Sequence, residues 1–357
     1  MDSRVYEHAE VLADWSTEIA EGDDVVIRAS PEAEELVTAL YRELAERGAK
    51  PLTLYSSQEL QRTFLINWKE EEFETPEHYL SLVENADVSI GINSDPNLKA
   101  MSNVPGRILS DYSVAMKPIQ EETLSKRWCF TQHPTNAQAQ EAEMSLEEYK
   151  DFVYNSILID WQDIHDKQEK LVQKINEGNE VRIVGPETEI EMSIEGMKGE
   201  NSDGKENMPS GEVFTAPVID SVNGKILFDM PIIFQGKEIR KARIKFEKGE
   251  VVDYAAEKGE DLIKELIGTD EGSDKVGELG IGTNRRIDKF TRNILFDEKM
   301  GGTIHMALGR AYEETVGKDR ERNTSAIHVD MIKDMKKGKM EIDGEKIIED
   351  GKYFWET

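Results

Sequence analysis

The chain has 357 residues, 38% hydrophobic and 33% charged, with a formal charge of −29 at pH 7. That acidity argues against nucleic acid or an anionic membrane as partner, since both need a basic patch, and no cluster of Lys and Arg stands out. No stretch approaches the roughly 20 apolar residues of a membrane span.

The N-terminal MDSRVYEHAEVLADW carries acids where a signal peptide needs an apolar run. One cysteine, Cys129, leaves no intrachain disulfide, and its apolar RWCF setting reads as a buried strand. These features point to a cytoplasmic protein, long enough for two domains. The acidity fits adaptation to a salty cytosol, although lysine outnumbers arginine, which weakens that reading.

The first part alternates helix and strand. Val5, Ala9, Leu12, Trp15 and Ile19 have helical spacing, and DDVVIRAS follows as a buried strand. Ser30 and Pro31 read as N-cap and first position of a helix that Gly48 closes. Its predicted buried face carries Leu36, Val37, Leu40, Tyr41 and Leu44. PLTLY, ADVSIGI and RWCFTQ are further strands, with a helix around 107–125 before the last. This order predicts a parallel sheet with right-handed crossovers. The Ser30–Pro31 turn has no glycine-rich phosphate loop, so no nucleotide site is expected there.

The polar stretch HPTNAQAQEAEMS reads as the boundary between an N-terminal domain, 1–140, and a second domain, 141–357. Ser145 and Glu148 form a capping box for a long helical region running to about Asn176. Tyr149, Phe152, Val153, Ile157 and Trp161 form its apolar side, and His165 reads as a surface residue. Beyond Gly178 the period becomes two, with Ile190, Met192 and Ile194 on one face. Turns at Asn223–Gly224, Gly236–Lys237 and Gly249 predict antiparallel hairpins, and Asp343–Gly344 turns another in the tail. A helix near 261–267 interrupts them. The fold expectation is an α/β N-terminal domain with a parallel sheet, followed by an α+β, largely antiparallel catalytic domain.

The chemistry gathers beyond residue 210, in Glu212, Glu278, His305, Tyr312, His328 and Asp330. In SAIHVDMI, strand alternation sends Ile327, Val329 and Met331 to one face and His328 and Asp330 to the other, roughly 7 Å apart along the backbone. An imidazole and a carboxylate on one face suit a borderline cation such as zinc or cobalt. Three carboxylates and two imidazoles are also the donors a two-metal hydrolase needs, and with a bridging hydroxide they leave two divalent ions near neutrality. Glycines crowd the same segments and leave room for backbone and substrate to approach. GELGIGTN is no phosphate loop, because it does not run from a strand into a helix bearing Lys and Ser or Thr.

NMPSGEVFTAP, GELGIGTN, GGTIHMALGRAY and NTSAIHVDMI, taken in this order, resemble the thermophilic aminopeptidase family, the metallopeptidases of the aminopeptidase T and S type. HPTNAQAQEAEMS and MSLEEYKDFVY share the likeness, which covers most of the second domain and more loosely the first. The resemblance implies metal ligands at Glu212, Glu278, His305, His328 and Asp330, and a catalytic tyrosine at Tyr312. It implies two divalent ions, zinc or cobalt with manganese or magnesium as alternatives, and a homodimer whose active sites face an internal cavity. The segment between His305 and His328 is shorter than in the commonest members. The expected activity is removal of N-terminal residues from short peptides, with Glu278 in preference to Glu212 as proton shuttle. A deacylase, or a metal- or peptide-binding module without turnover, would use the same set differently.

Overall fold

The computed structural model describes residues 2–69, 72–234 and 236–356. They form two compact units, Met1–Ile159 with Gly204–Pro209, and Asp160–Asp203 with Ser210–Thr357.

The first unit is built on a parallel sheet of β1 (Asp24–Ala29), β2 (Lys50–Tyr55), β3 (Val88–Asn93) and β4 (Arg127–Gln132) in the order β2-β1-β3-β4. Val25, Val26 and Ile27 of β1 and Val88, Ile90 and Ile92 of β3 are buried in unbroken runs, as expected of strands covered on both faces. Cys129 of β4 is buried too, and burial pushes its thiol up to about 12. A two-residue strand from later in the chain, β8 (Asn207–Met208), pairs in parallel with β4.

The helix after β1 buries Leu36, Val37, Leu40 and Leu44 and ends at Gly48 in the left-handed conformation, φ 74°. Its start departs from expectation. Pro31–Ala33 form a 3₁₀ turn ahead of the helix Glu34–Arg47, and the Ser30 hydroxyl hydrogen-bonds Ser94, 2.9 Å from its carbonyl oxygen, instead of capping. Tyr41 is 39% exposed, at the edge of the face to which its spacing assigns it.

Residues 133–159 belong to the first unit. Thr135 and Gln138 form a capping box on the helix Asn136–Glu141, and Ser145 and Glu148 form the expected one on Leu146–Ile157. The second of these helices buries Tyr149, Phe152, Val153, Tyr154 and Ile157 and packs near the helix Ser3–Val11. The predicted long helical region breaks at Leu158, and Asp160 caps a new helix, Trp161–Glu177. The units therefore divide at that break, after the polar stretch, because the apolar side of Leu146–Ile157 is committed to the first core.

Among the described residues the second unit holds two large antiparallel sheets and a two-stranded one. The larger takes β5 (Glu180–Gly185), β6 (Thr188–Ser193), β10 (Asn223–Phe228), β13 (Ala242–Glu247), β14 (Glu250–Ala255), β18 (Lys339–Ile342), β19 (Glu345–Glu349) and β20 (Lys352–Tyr353). Their order is β14-β13-β10-β6-β5-β18-β19-β20. Lys248–Gly249 and Asp343–Gly344 turn its hairpins with positive φ at both residues, as two-residue hairpins require. Asn223–Gly224 is not a turn. It opens β10, where Gly224 pairs with Ile190 and Phe246. A small hairpin, β11 (Ile232–Phe234) and β12 (Lys237–Ile239), stands apart.

The smaller sheet takes β7 (Glu200–Ser202), β9 (Glu212–Thr215), β15 (Val276–Gly282), β16 (Thr303–Gly309) and β17 (His328–Asp334), in the order β17-β16-β15-β9-β7. One continuous core joins the two sheets, with Ile183, Ile190, Met192, Phe228 and Phe246 from the larger. Val213, Leu279, Ile281, Ile304, Met306, Leu308 and Met331 come from the smaller.

Candidate metal centre

Register puts the site on the opposite face of the smaller sheet. Glu278 of β15 pairs with Ala307 of β16, which pairs with Asp330 of β17, so these three stand in one row on one face. His305 lies two residues before Ala307, and His328 two before Asp330, on the same face. Gly282 pairs with Glu212 and Gly280 with Phe214, which adds β9. The alternate residues Leu279, Ile281, Ile304, Met306 and Val213 go into the core. A shift of one residue in any strand would exchange these two sets, so the apolar core fixes the register that gathers the polar groups.

Space on this face comes from the small residues between the functional ones. A Cβ on Gly280 would lie 1.9 Å from His305 Nε2, so the imidazole lies across that glycine. Gly211, just before Glu212, has φ 116° and packs on Asn284, where a Cβ would meet Asn284 Cβ at 2.7 Å.

The five expected ligands converge. His305, fully buried, places Nε2 at 3.1 Å from Glu278 Oε1 and 3.5 Å from Glu212 Oε2. His328 Nε2 lies 3.4 Å from Asp330 Oδ1 and 3.9 Å from Glu278 Oε2. The His328 Nδ1–H donates to the Arg310 carbonyl at 2.9 Å, which orients the ring and leaves Nε2 toward the carboxylates. The Tyr312 ring stands 5.1 Å from the His328 ring, with Phe214 edge-on to it at 6.0 Å. Tyr312 is 41% exposed, so it forms the open rim of the site.

Two further charged residues, which no sequence pattern singles out, join the cluster. Lys299, fully buried, puts Nζ 3.3 Å from Glu212 Oε1 and also contacts the Glu298 carboxylate. Their one sequence signal is a run of three charges, Asp297, Glu298 and Lys299, between the apolar residues of ILFDEKM. Behind the face, Gln168 of the helix Trp161–Glu177 donates to the Glu212 carbonyl at 2.9 Å and to Thr283 Oγ1 at 3.0 Å. His165 on that helix is no free surface residue; its Nδ1 lies 2.7 Å from Asp203 Oδ2.

The electrostatics are those of anions crowded out of water. Burial raises the Glu278 carboxyl above its usual range, against the pull of His305. Burial with the charges of Glu212 and Asp330 raises Glu298 to about 8, against Lys299. Asp330 is held below its usual range: burial opposes this, but His328, His305 and Lys299 outweigh it. Burial alone would lower both histidines. The Glu278 hydrogen bond and the charges of Glu212, Asp330 and Glu278 instead raise His305 to about 10. Asp330 and Glu278 raise His328 to about 9. Burial, with the nearby charges of Glu278 and Asp330, holds the Tyr312 phenol above its ordinary value, so it stays a proton donor at neutral pH.

The donor set suits a divalent cation. Glu278, His305 and Asp330 each offer a ligand atom within 4.8 Å of the others. Glu212 Oε2 and Asp330 Oδ1 are buried without hydrogen-bond partners, an arrangement that costs stability unless a cation meets them. Nitrogen and oxygen donors converging from separate strands are what a borderline ion takes. Among the described residues no helix is long and apolar enough to cross a membrane.

Residues 1–353 match the family described as thermophilic metalloprotease (M29). Aminopeptidase AmpS of Bacillus subtilis is 27% identical over 97% of this chain and 95% of its own length. Aminopeptidase T of Thermus aquaticus is 34% identical over 41% of this chain and 37% of its own. The fold matches the solved structure of wild-type AmpT from Thermus thermophilus with a TM-score of 0.87, at 23% identity over 99% of both chains.

Proposed function

Because the chain belongs to the thermophilic metalloprotease (M29) family, we propose that it is a cytoplasmic aminopeptidase acting on short peptides. Its two divalent ions, zinc or cobalt in preference to manganese or magnesium, would be held by Glu212, Glu278, His305, His328 and Asp330. One observation carries the reading: three carboxylates and two imidazoles from four strands share one face of a sheet whose other face is core. The names of the relatives, all aminopeptidases, support the reaction.

When bound, the ions supply an acidified water and polarise the scissile carbonyl. The protein groups divide the remaining work. Glu278, raised by burial, is suited to hold a proton and pass it to the leaving amine. Tyr312, at the rim and protonated, donates a hydrogen bond to the developing oxyanion. Phe214 packs edge-on to the Tyr312 ring and steadies it. The acidic face is complementary to the free α-amine that an exopeptidase must read. A homodimer belongs to the same proposal.

Aminoacyl-nitroanilides compared with their N-acetylated counterparts, each with and without cobalt or zinc, test this directly. Metal-dependent cleavage of the free-amine series alone is expected. Cleavage of the acetylated series would make the protein a deacylase, and metal binding without cleavage of either would make it a binding module.

A further inference from the structure

The segment Glu298–Met300 runs against Gly282, where a Cβ would meet the Met300 carbonyl at 2.4 Å and the Glu298 carbonyl at 2.8 Å. Gly282 is the cross-strand partner of Glu212. This close passage is what brings a wholly buried ammonium to Glu212. The backbone at Lys299 is fixed by the same residue that holds the turn into β9. Asn284 N–H donates to the Lys299 carbonyl at 3.1 Å, and Asn284 Nδ2 to the Ser210 carbonyl at 2.9 Å. Thr283 N–H donates to the Gly211 carbonyl at 2.7 Å. Lys299 and Glu212 are therefore mounted on one hydrogen-bonded frame.

The two oxygens of Glu212 have different surroundings. Oε1 faces Lys299 Nζ at 3.3 Å, whereas Oε2 has no hydrogen-bond partner and lies 3.5 Å from His305 Nε2. We propose that Lys299 is a positioning residue: its ammonium pins Glu212 through Oε1, so that Oε2 is presented beside His305 to a divalent ion. This rests on the metallopeptidase reading above and adds to it the group that orients one ligand. Glu298, in contact with the same ammonium, anchors the lysine from its other side. A carboxylate held by one oxygen loses its freedom before the ion arrives, so less is lost on binding.

Cobalt chloride titrated into metal-free protein, followed by visible absorption, tests the proposal, with zinc affinity taken from competition against a chromophoric chelator. Lys299→Met should weaken binding roughly 10–100-fold, the usual effect of removing an outer partner of a ligand, and should change the cobalt spectrum. Lys299→Arg should restore part of both. The double variant Lys299→Met with Glu298→Gln removes a balanced pair of buried charges, so it protects the fold if the single variant does not fold. It too should bind weakly, because Glu212 is still unheld. Native affinity and spectrum in the double variant would overturn the proposal and leave Lys299 as a counter-charge to Glu298. Tighter binding in Lys299→Met would also overturn it, by showing that the ammonium competes with the ion. In either case the native protein binds cobalt and His305→Ala does not, so the metal reading stands. A native protein that takes up no cobalt would bring down both.

Discussion

Glu278 and Asp330 face each other across Ala307, a fully buried residue on the strand between them. Their backbones stand two strand spacings apart, yet their side chains lean together over the Ala307 methyl group, so that each offers an oxygen within 4.8 Å of the other. Replacing that methyl by a branched side chain would crowd the space beneath the two oxygens while leaving both carboxylates in the chain. Ala307→Val is expected to fold, at a cost of roughly 1–3 kcal/mol for overpacking. It should bind zinc at least about tenfold more weakly, in the range seen when a ligand's surroundings are disturbed. Circular dichroism and a competition titration on the same sample check it, and native affinity would show that the metal does not use this space.

Tyr312→Phe keeps the ring that packs between Phe214 and His328 and removes only the hydroxyl. Turnover of an aminoacyl-nitroanilide should fall roughly 10²–10³-fold, as for the loss of one oxyanion donor, with metal affinity unchanged. Near-native turnover would make Tyr312 a packing residue. Glu278→Gln should lose at least as much turnover and some metal affinity as well, since one carboxylate is assigned to both tasks.

The raised histidines set a pH dependence with a definite sign. Without metal, His305 and His328 hold protons up to about 10 and about 9. In the unfolded chain they would release them at about 6.5. A raised folded value contributes stability that is complete below about 6.5 and is lost as pH climbs through the folded values. The metal-free protein should therefore lose thermal stability between about pH 7 and 10. The same protons must leave before the imidazoles can bind an ion, so metal affinity should rise with pH and binding should release protons. Calorimetry in two buffers of different ionisation enthalpy counts them. Affinity that is flat from pH 6 to 9 would contradict this protonation pattern.

At −29 per chain, a homodimer must bring together like charges, so its association should depend on screening. The Debye length falls from about 10 Å at 0.1 M salt to about 3 Å at 1 M. Dimer population and peptidase activity are expected to rise together along a potassium chloride series, followed by light scattering and nitroanilide cleavage. A fully active monomer at low salt would rule out both the dimer and adaptation to salt, leaving the metal chemistry as it is.

Alternation along a strand is what makes half of this site legible in the amino-acid order. His328 and Asp330 flanking Val329, or His305 between Ile304 and Met306, spell out a polar face and an apolar face residue by residue. Lys299 and Glu298 carry no such pattern, because they lie in an irregular segment whose burial depends on Gly282, sixteen or more residues earlier in the chain. Ser30 has the type and spacing of a cap, yet its hydroxyl is engaged with Ser94, a contact across strands that local sequence does not encode. Asn223–Gly224 is the strongest turn dipeptide and is strand, since pairing on both sides with β6 and β13 outweighs the local preference. The division at residues 159–160 escapes local reading for a related reason. A polar stretch marks a surface, but which core claims the next helix is decided by its apolar side.

The short return strand Asn207–Met208 has a consequence for how this polypeptide can be taken apart. The chain leaves the first unit after Ile159, comes back for Gly204–Pro209 and leaves again. A fragment ending at Ile159 would lack β8, exposing the edge of β4 and stripping Thr131 of the Met208 carbonyl to which it donates at 2.7 Å. That threonine also meets the wholly buried His8 at 2.9 Å, so the loss reaches the interior. The N-terminal unit is thus not a cassette that recombination or cloning can lift out as one contiguous piece. Insertions, exchanges with relatives and limited proteolysis will all have to respect a seam that the chain crosses three times.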